Sequence, residues 1–164
     1  MMVAVAMLAA ARLAAAGPTI ETESFSLTLP DHWVADLATK PVSARGPRGE
    51  VVHVSSTVIR GSGSADESAR LRRDLEAAVL RAMQRTASDP SLVTVKPLAT
   101  TMLPSGVTVH EAVSRTRDGK ALVAQFAMMG PPSVVLVTLD APAATSTASI
   151  EAIRAAVTAI RWGR

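Results

Sequence analysis

The sequence predicts an α/β (α+β) domain, a mainly antiparallel β-sheet flanked by helices. Three observations lead there. Residues 107–115, 121–129 and 133–139 are β-rich and follow one another closely, as in a meander. Asp118-Gly119 between the first two is a strong hairpin signal, because both turn residues tolerate positive φ. Residues 65–88 and 148–161 instead carry apolar side chains at helical spacing, which places one stripe of each helix on the sheet.

The length of 164 residues suits one domain with a substantial core. Hydrophobic residues make up 48%, which argues against wholesale disorder. Phe25, Phe126, Trp33 and Trp162 are the complete aromatic set, so Val, Leu, Ile and Met must build the core. Net charge is +3 with fourteen Arg against three Lys, and acids are interleaved with the bases. A nucleic-acid binder concentrates basic residues on one face and adds stacking aromatics, so no nucleic-acid partner is expected. The absence of cysteine excludes a disulfide scaffold, a thiolate metal site and a Cys nucleophile.

In chain order, residues 1–16 are Met, Val, Leu and Ala, broken by Arg12. The run is too short to span a bilayer as a helix. Ala14-Ala15-Ala16 fits the small-residue cleavage pattern, so the segment reads as a signal peptide. The alternative is an apolar N-terminal helix packed on the domain. Residues 17–164 are read as the single domain. Residues 17–23 form a polar lead-in, and Phe25, Leu27 and Leu29 alternate as on a half-buried strand. Trp33 opens a short second segment. It is expected to be a buried structural anchor, since one indole covers much apolar surface in a core poor in aromatics.

Residues 39–50, with two prolines and two glycines, read as a loop. Residues 51–59 read as a strand with Val52, Val54 and Val58 on one face and His53, Ser55 and Thr57 on the other. Ser64 or Asp66 can cap the long helix, whose apolar stripe runs through Leu71, Leu75, Val79 and Met83. Arg70–Asp74 and Arg72–Glu76 are spaced as i,i+4 pairs. Residues 92–102 read as a strand interrupted near Pro97, and residues 140–147 as a loop. The last helix can be capped by Ser146 or Thr147.

Two stretches resemble a known superfamily. Phe25-Ser-Leu-Thr-Leu-Pro-Asp-His-Trp33 is similar to the strand–Leu-Pro–x–x–Trp opening of PsbP/DcrB-like proteins. Ile153 through Ile160-Arg161-Trp162 resembles their terminal helix with its aromatic end. His32 stands where many members carry Gly. The resemblance implies a PsbP-like α/β/α sandwich. Its members include extrinsic photosystem II subunits, bacterial envelope proteins, a Ran-binding nuclear factor and chaperones for secreted effectors. It therefore implies a non-catalytic binding or accessory protein, and it supplies no catalytic residue to carry over.

The expectation is a periplasmic or secreted envelope protein whose partner is another protein, with no cofactor, no stable membrane span and no catalytic, cofactor or metal residue. A cytoplasmic location, as a chaperone or adaptor for secreted effectors, is the alternative. A small metal-dependent hydrolase is the rival from another class. It would use His53, His110 and Glu111, because His and carboxylate ligands can hold zinc. Gly61-Ser-Gly-Ser64 before a helix could offer N–H groups to an anion, but it lacks the Lys-Ser/Thr of a phosphate-binding loop. It reads as a strand-to-helix connection. The Arg stripe of the long helix reads as a solvated face, and Met128-Met129 as core.

Overall fold

The computed structural model describes residues 17–59 and 64–163. The expected signal segment 1–16, and residues 61–63 of the glycine-serine connection, lie outside the described residues. The elements in chain order are β1 (Thr19–Glu21), β2 (Phe25–Thr28), β3 (Val34–Asp36), β4 (Val42–Arg45), β5 (Val51–Val58), α1 (Ala65–Ala87), β6 (Leu92–Met102), β7 (Thr108–Thr116), β8 (Ala121–Gly130), β9 (Ser133–Pro142), α2 (Ser146–Thr158) and β10 (Arg161–Trp162).

The meander lies at the centre. The large sheet has seven strands in the order β3-β4-β5-β9-β8-β7-β6, and every pairing is antiparallel. A three-stranded sheet, β1-β2-β10, is separate from it. Side chains alternate across a strand, so β8 feeds two cores. Ala124, Phe126 and Met128 join Val52, Val137, Leu27, Ile153 and Val157 in the larger core, with α2 and the small sheet. Ala127 and Met129 join Ala112, Val134 and Met83 in the smaller core, under α1. The layers are α1, the large sheet, then α2 with the small sheet, which is the expected antiparallel sheet flanked by helices.

Long, strongly periodic elements match the sequence reading. Phe25, Leu27 and Leu29 are buried, and the Ser64 hydroxyl caps α1 by accepting from the Glu67 N–H at 3.2 Å. The β6 ladder shifts register between Thr94 and Ala99, around Pro97, as a residue without an N–H requires.

Five expectations need correction. Residues 39–50 are not all loop: Val42–Arg45 form β4, whose ladder to β5 overrides the weak strand preference of Ser43 and Ala44. The polar lead-in contains β1, because Ile20 is buried beside β2. β9 runs on to Pro142, and α2 starts at Ser146 with Thr145 as N-cap and no side-chain cap bond. The Ser146 hydroxyl, expected as a cap, donates backwards to the Ala143 carbonyl. Finally, the last helix ends at Thr158, and Arg161–Trp162 pair with β2 as a strand. There Trp162 lies tilted against Phe25, their ring centroids 6.4 Å apart. It also covers Gly130, where a Cβ would stand 2.2 Å from the indole. Val58, expected on the inward face of its strand, is 38% exposed at the last position of β5.

Trp33 is buried in the larger core and touches the β4–β5 turn, where a Cβ on Gly46 would come within 3.0 Å of the indole. The turn before it closes through the Trp33 N–H to the Pro30 carbonyl, and His32 has φ of 66°. That conformation suits glycine and crowds an L side chain. Trp33→Ala should cost about 3–5 kcal/mol in denaturant melts. His32→Gly should be neutral or add up to about 1 kcal/mol, and His32→Val should cost about 1–2 kcal/mol. A destabilised His32→Gly would contradict the strained turn.

Candidate functional site

The ionisable side chains that the fold buries are the place to look for chemistry. Two are consecutive on β7 and therefore point to opposite faces of the sheet. His110 faces α1 and is almost wholly buried. Its Nδ1 lies 2.9 Å from the Thr100 hydroxyl on β6, and its Nε2 lies 3.2 Å from Oε1 of Glu76 on α1.

Glu111 faces α2. Lys96 Nζ donates to Oε2 at 2.7 Å, and Arg154 donates to Oε1 at 2.6 Å and to Oε2 at 3.3 Å. Arg154 also meets Glu151 one turn back at 2.5 Å. Burial pushes the Glu111 carboxyl up, but the hydrogen bonds from Arg154 and Lys96 outweigh it and hold the group below the usual glutamate range. The hydrogen bond to Glu111 pushes the Arg154 guanidinium upward in turn. A small cavity of about 80 Å³ adjoins the pair, lined by Thr101, Leu103, Val109 and Phe126 among others. A carboxylate held ionised by two cations is a poor proton acceptor, so this cluster ties α2 to the sheet.

The His53, His110 and Glu111 set is not assembled. His53 shares a face of the sheet with His110, but β9 and β8 lie between their strands. Three strand spacings amount to about 14 Å. Glu111 points to the other face. Among the described residues no group of three or more His, Cys, Asp or Glu could hold a metal ion. His53 Nδ1 instead lies 3.0 Å from the hydroxyl of Ser43, its direct partner in the β4–β5 ladder. Asp140 is on that same face. Partial burial pushes its carboxyl up, while attraction to His53 pulls the other way. Ser43, His53 and Asp140 are a nucleophile, a base and an acid by type. Yet Ser43 and His53 are ordinary cross-strand neighbours, and Asp140 meets the histidine by electrostatic attraction without a hydrogen bond.

Sequence reasoning missed Glu50, which is 1% exposed immediately before β5. The Ser149 hydroxyl on α2 donates to its Oε1 at 2.7 Å, the Arg48 N–H to Oε2 at 2.8 Å, and Arg48 Nε to Oε1 at 3.1 Å. Gly46 makes room: a Cβ there would stand 2.5 Å from Oε2. Burial pushes this carboxyl up, but Ser149, the turn N–H groups and Arg48 bring it below its ordinary value. A glutamate closing a Gly-rich turn was the available signal, but the turn's partner is almost a hundred residues away. A groove of about 360 Å³ lies between α1 and β5. It is apolar, lined by Thr57, Val58, Ile59, Leu71 and Leu75. Leu71 is 43% exposed there.

No family model matches the chain, and no curated protein matches it. Among solved structures, it is similar to the solution structure of cyanobacterial PsbP (CyanoP) from Synechocystis sp. PCC 6803. The TM-score is 0.58 at 10% identity, over 96% of this chain and 98% of that one. The fold is therefore PsbP-like, as the two sequence stretches implied.

The carboxyls give a pH test. Glu50 and Glu111 have folded values below their unfolded ones, so they stabilise fully above the unfolded value, about 4.3, and lose this as pH falls through the folded values. Glu111→Gln should cost about 1–3 kcal/mol at pH 7 and flatten the fall in stability in acid. Asp140 has the opposite sign: a raised folded value means its contribution is lost as pH rises. Asp140→Asn should therefore stabilise the protein at neutral pH. Urea midpoints measured from pH 3 to pH 8 check both.

Proposed function

We propose that this chain is a non-catalytic binding or accessory protein of the bacterial cell envelope, acting on another protein in the periplasm or outside the cell. One observation carries the reading. The buried ionisable groups Glu50, His110 and Glu111 are each committed to neighbours that join elements of the fold. None is left poised for a substrate. Apolar surface, by contrast, is exposed along the α1–β5 groove. The PsbP-like fold supports the reading, because the superfamily that the sequence resembles is mostly accessory. The apolar run 1–16 with its small residues before Gly17 supports export. No helix among the described residues is long and apolar enough to cross a membrane.

Affinity capture from native envelope extract should enrich a protein partner with wild type and lose it with Leu71→Asp in the groove. Protein recovered from its native host should begin near Gly17. An intact Met1 in the cytoplasmic fraction would favour the cytoplasmic adaptor instead. Purified without added metal, the protein should hold substoichiometric zinc. Stoichiometric zinc lost in a His53→Ala/His110→Ala double variant would revive the metal-dependent hydrolase.

A further inference from the structure

We infer that α1 is a lid that opens from the sheet as a unit, independently of the proposed envelope role, while α2 and the small sheet stay closed. The two helices are held very differently. Of the 13 residues of α2, Ser146, Ser149, Ile150, Ile153 and Val157 are buried. Of the 23 residues of α1, Met83 alone is. Leu71, in the apolar stripe of α1, stays substantially exposed. Opening free energy follows the apolar contacts an element must surrender, so α1 belongs to the low end of the range.

The surface under α1 buries Ala112, Ala127, Met129 and Val134 fully, while Leu75 and Val79 of the helix pack on it only partly buried. Two polar contacts add to it. His110 Nε2 meets Glu76 at 3.2 Å, and Arg72 Nη2 donates to the Met129 carbonyl at 3.0 Å. Arg72 and Glu76 are four residues apart, and both reach to the sheet instead of pairing along the helix. Together they form a latch at mid-helix. Lifting α1 leaves intact every ladder of the sheet and the larger core on its far face. The open form therefore keeps the sheet and uncovers a strip with Met129 in it. Methionine adapts its shape to different apolar partners.

Native-state hydrogen exchange of the full chain, read by mass spectrometry, tests this. The α1 amides should exchange much faster than those of α2, β8 and β9. Glu76→Gln and Arg72→Ala should each accelerate α1 exchange by about tenfold, the factor that 1.4 kcal/mol represents, and leave α2 unchanged. Both positions are partly exposed, so these variants are expected to fold. The apolar dye ANS should bind the variants more than wild type. Equal protection of α1 and α2 in wild type would overturn the proposal. So would variants that accelerate both helices together, or neither.

Discussion

The architecture depends on the alternation of one strand. His110 and Glu111 are neighbours in sequence, and the pleat of β7 sends them to opposite faces, one to each helix. Glu111 gathers Lys96 and Arg154, so one carboxylate joins β6, β7 and α2. His110 joins β6, β7 and α1 through Thr100 and Glu76. A register slip of one residue would exchange the two and leave an acid facing Glu76. The same two residues, with His53, read as a candidate zinc set in the sequence, because a linear pattern hides the face to which each side chain points.

Glu50, at the β5 end of the same α2-facing layer, does what Glu111 does at β7. It fixes the β4–β5 turn to the first turn of α2 through Ser149. A charge placed in a core costs several kcal/mol unless it is paired and hydrogen-bonded, and both glutamates meet that condition. α2 is thus anchored by apolar burial and by two buried carboxylates. α1 has neither resource in the same measure, and its long solvated face follows from that.

What was legible in the sequence is what local chemistry decides. Phe25, Leu27 and Leu29 alternate, Asp118-Gly119 turns the chain, and Leu75, Val79 and Met83 mark a helix face. The burial of Trp33 followed from the scarcity of other aromatics. What escaped was made by distant partners. β4 is a strand because β5 pairs with it, and β1 because β2 does. Residues 160–162 continue a helical stripe in sequence, yet β2 draws Arg161 and Trp162 into a sheet. The separation of His53 from His110 by two strands depends on β9 and β8 lying between them, which no spacing in the chain reveals.

The pairing of β10 with β2 sets the order of events during synthesis. Phe25 emerges from the ribosome early and Trp162 late, and each is the other's neighbour across the ladder. Until residue 162 is out, the small sheet lacks a strand, Gly130 lacks its cover, and Phe25 lacks its aromatic contact. Contacts so far apart in sequence form slowly, since the loop entropy must be spent first. The small sheet and the cover over Gly130 are therefore completed only after both helices and the whole meander have been made.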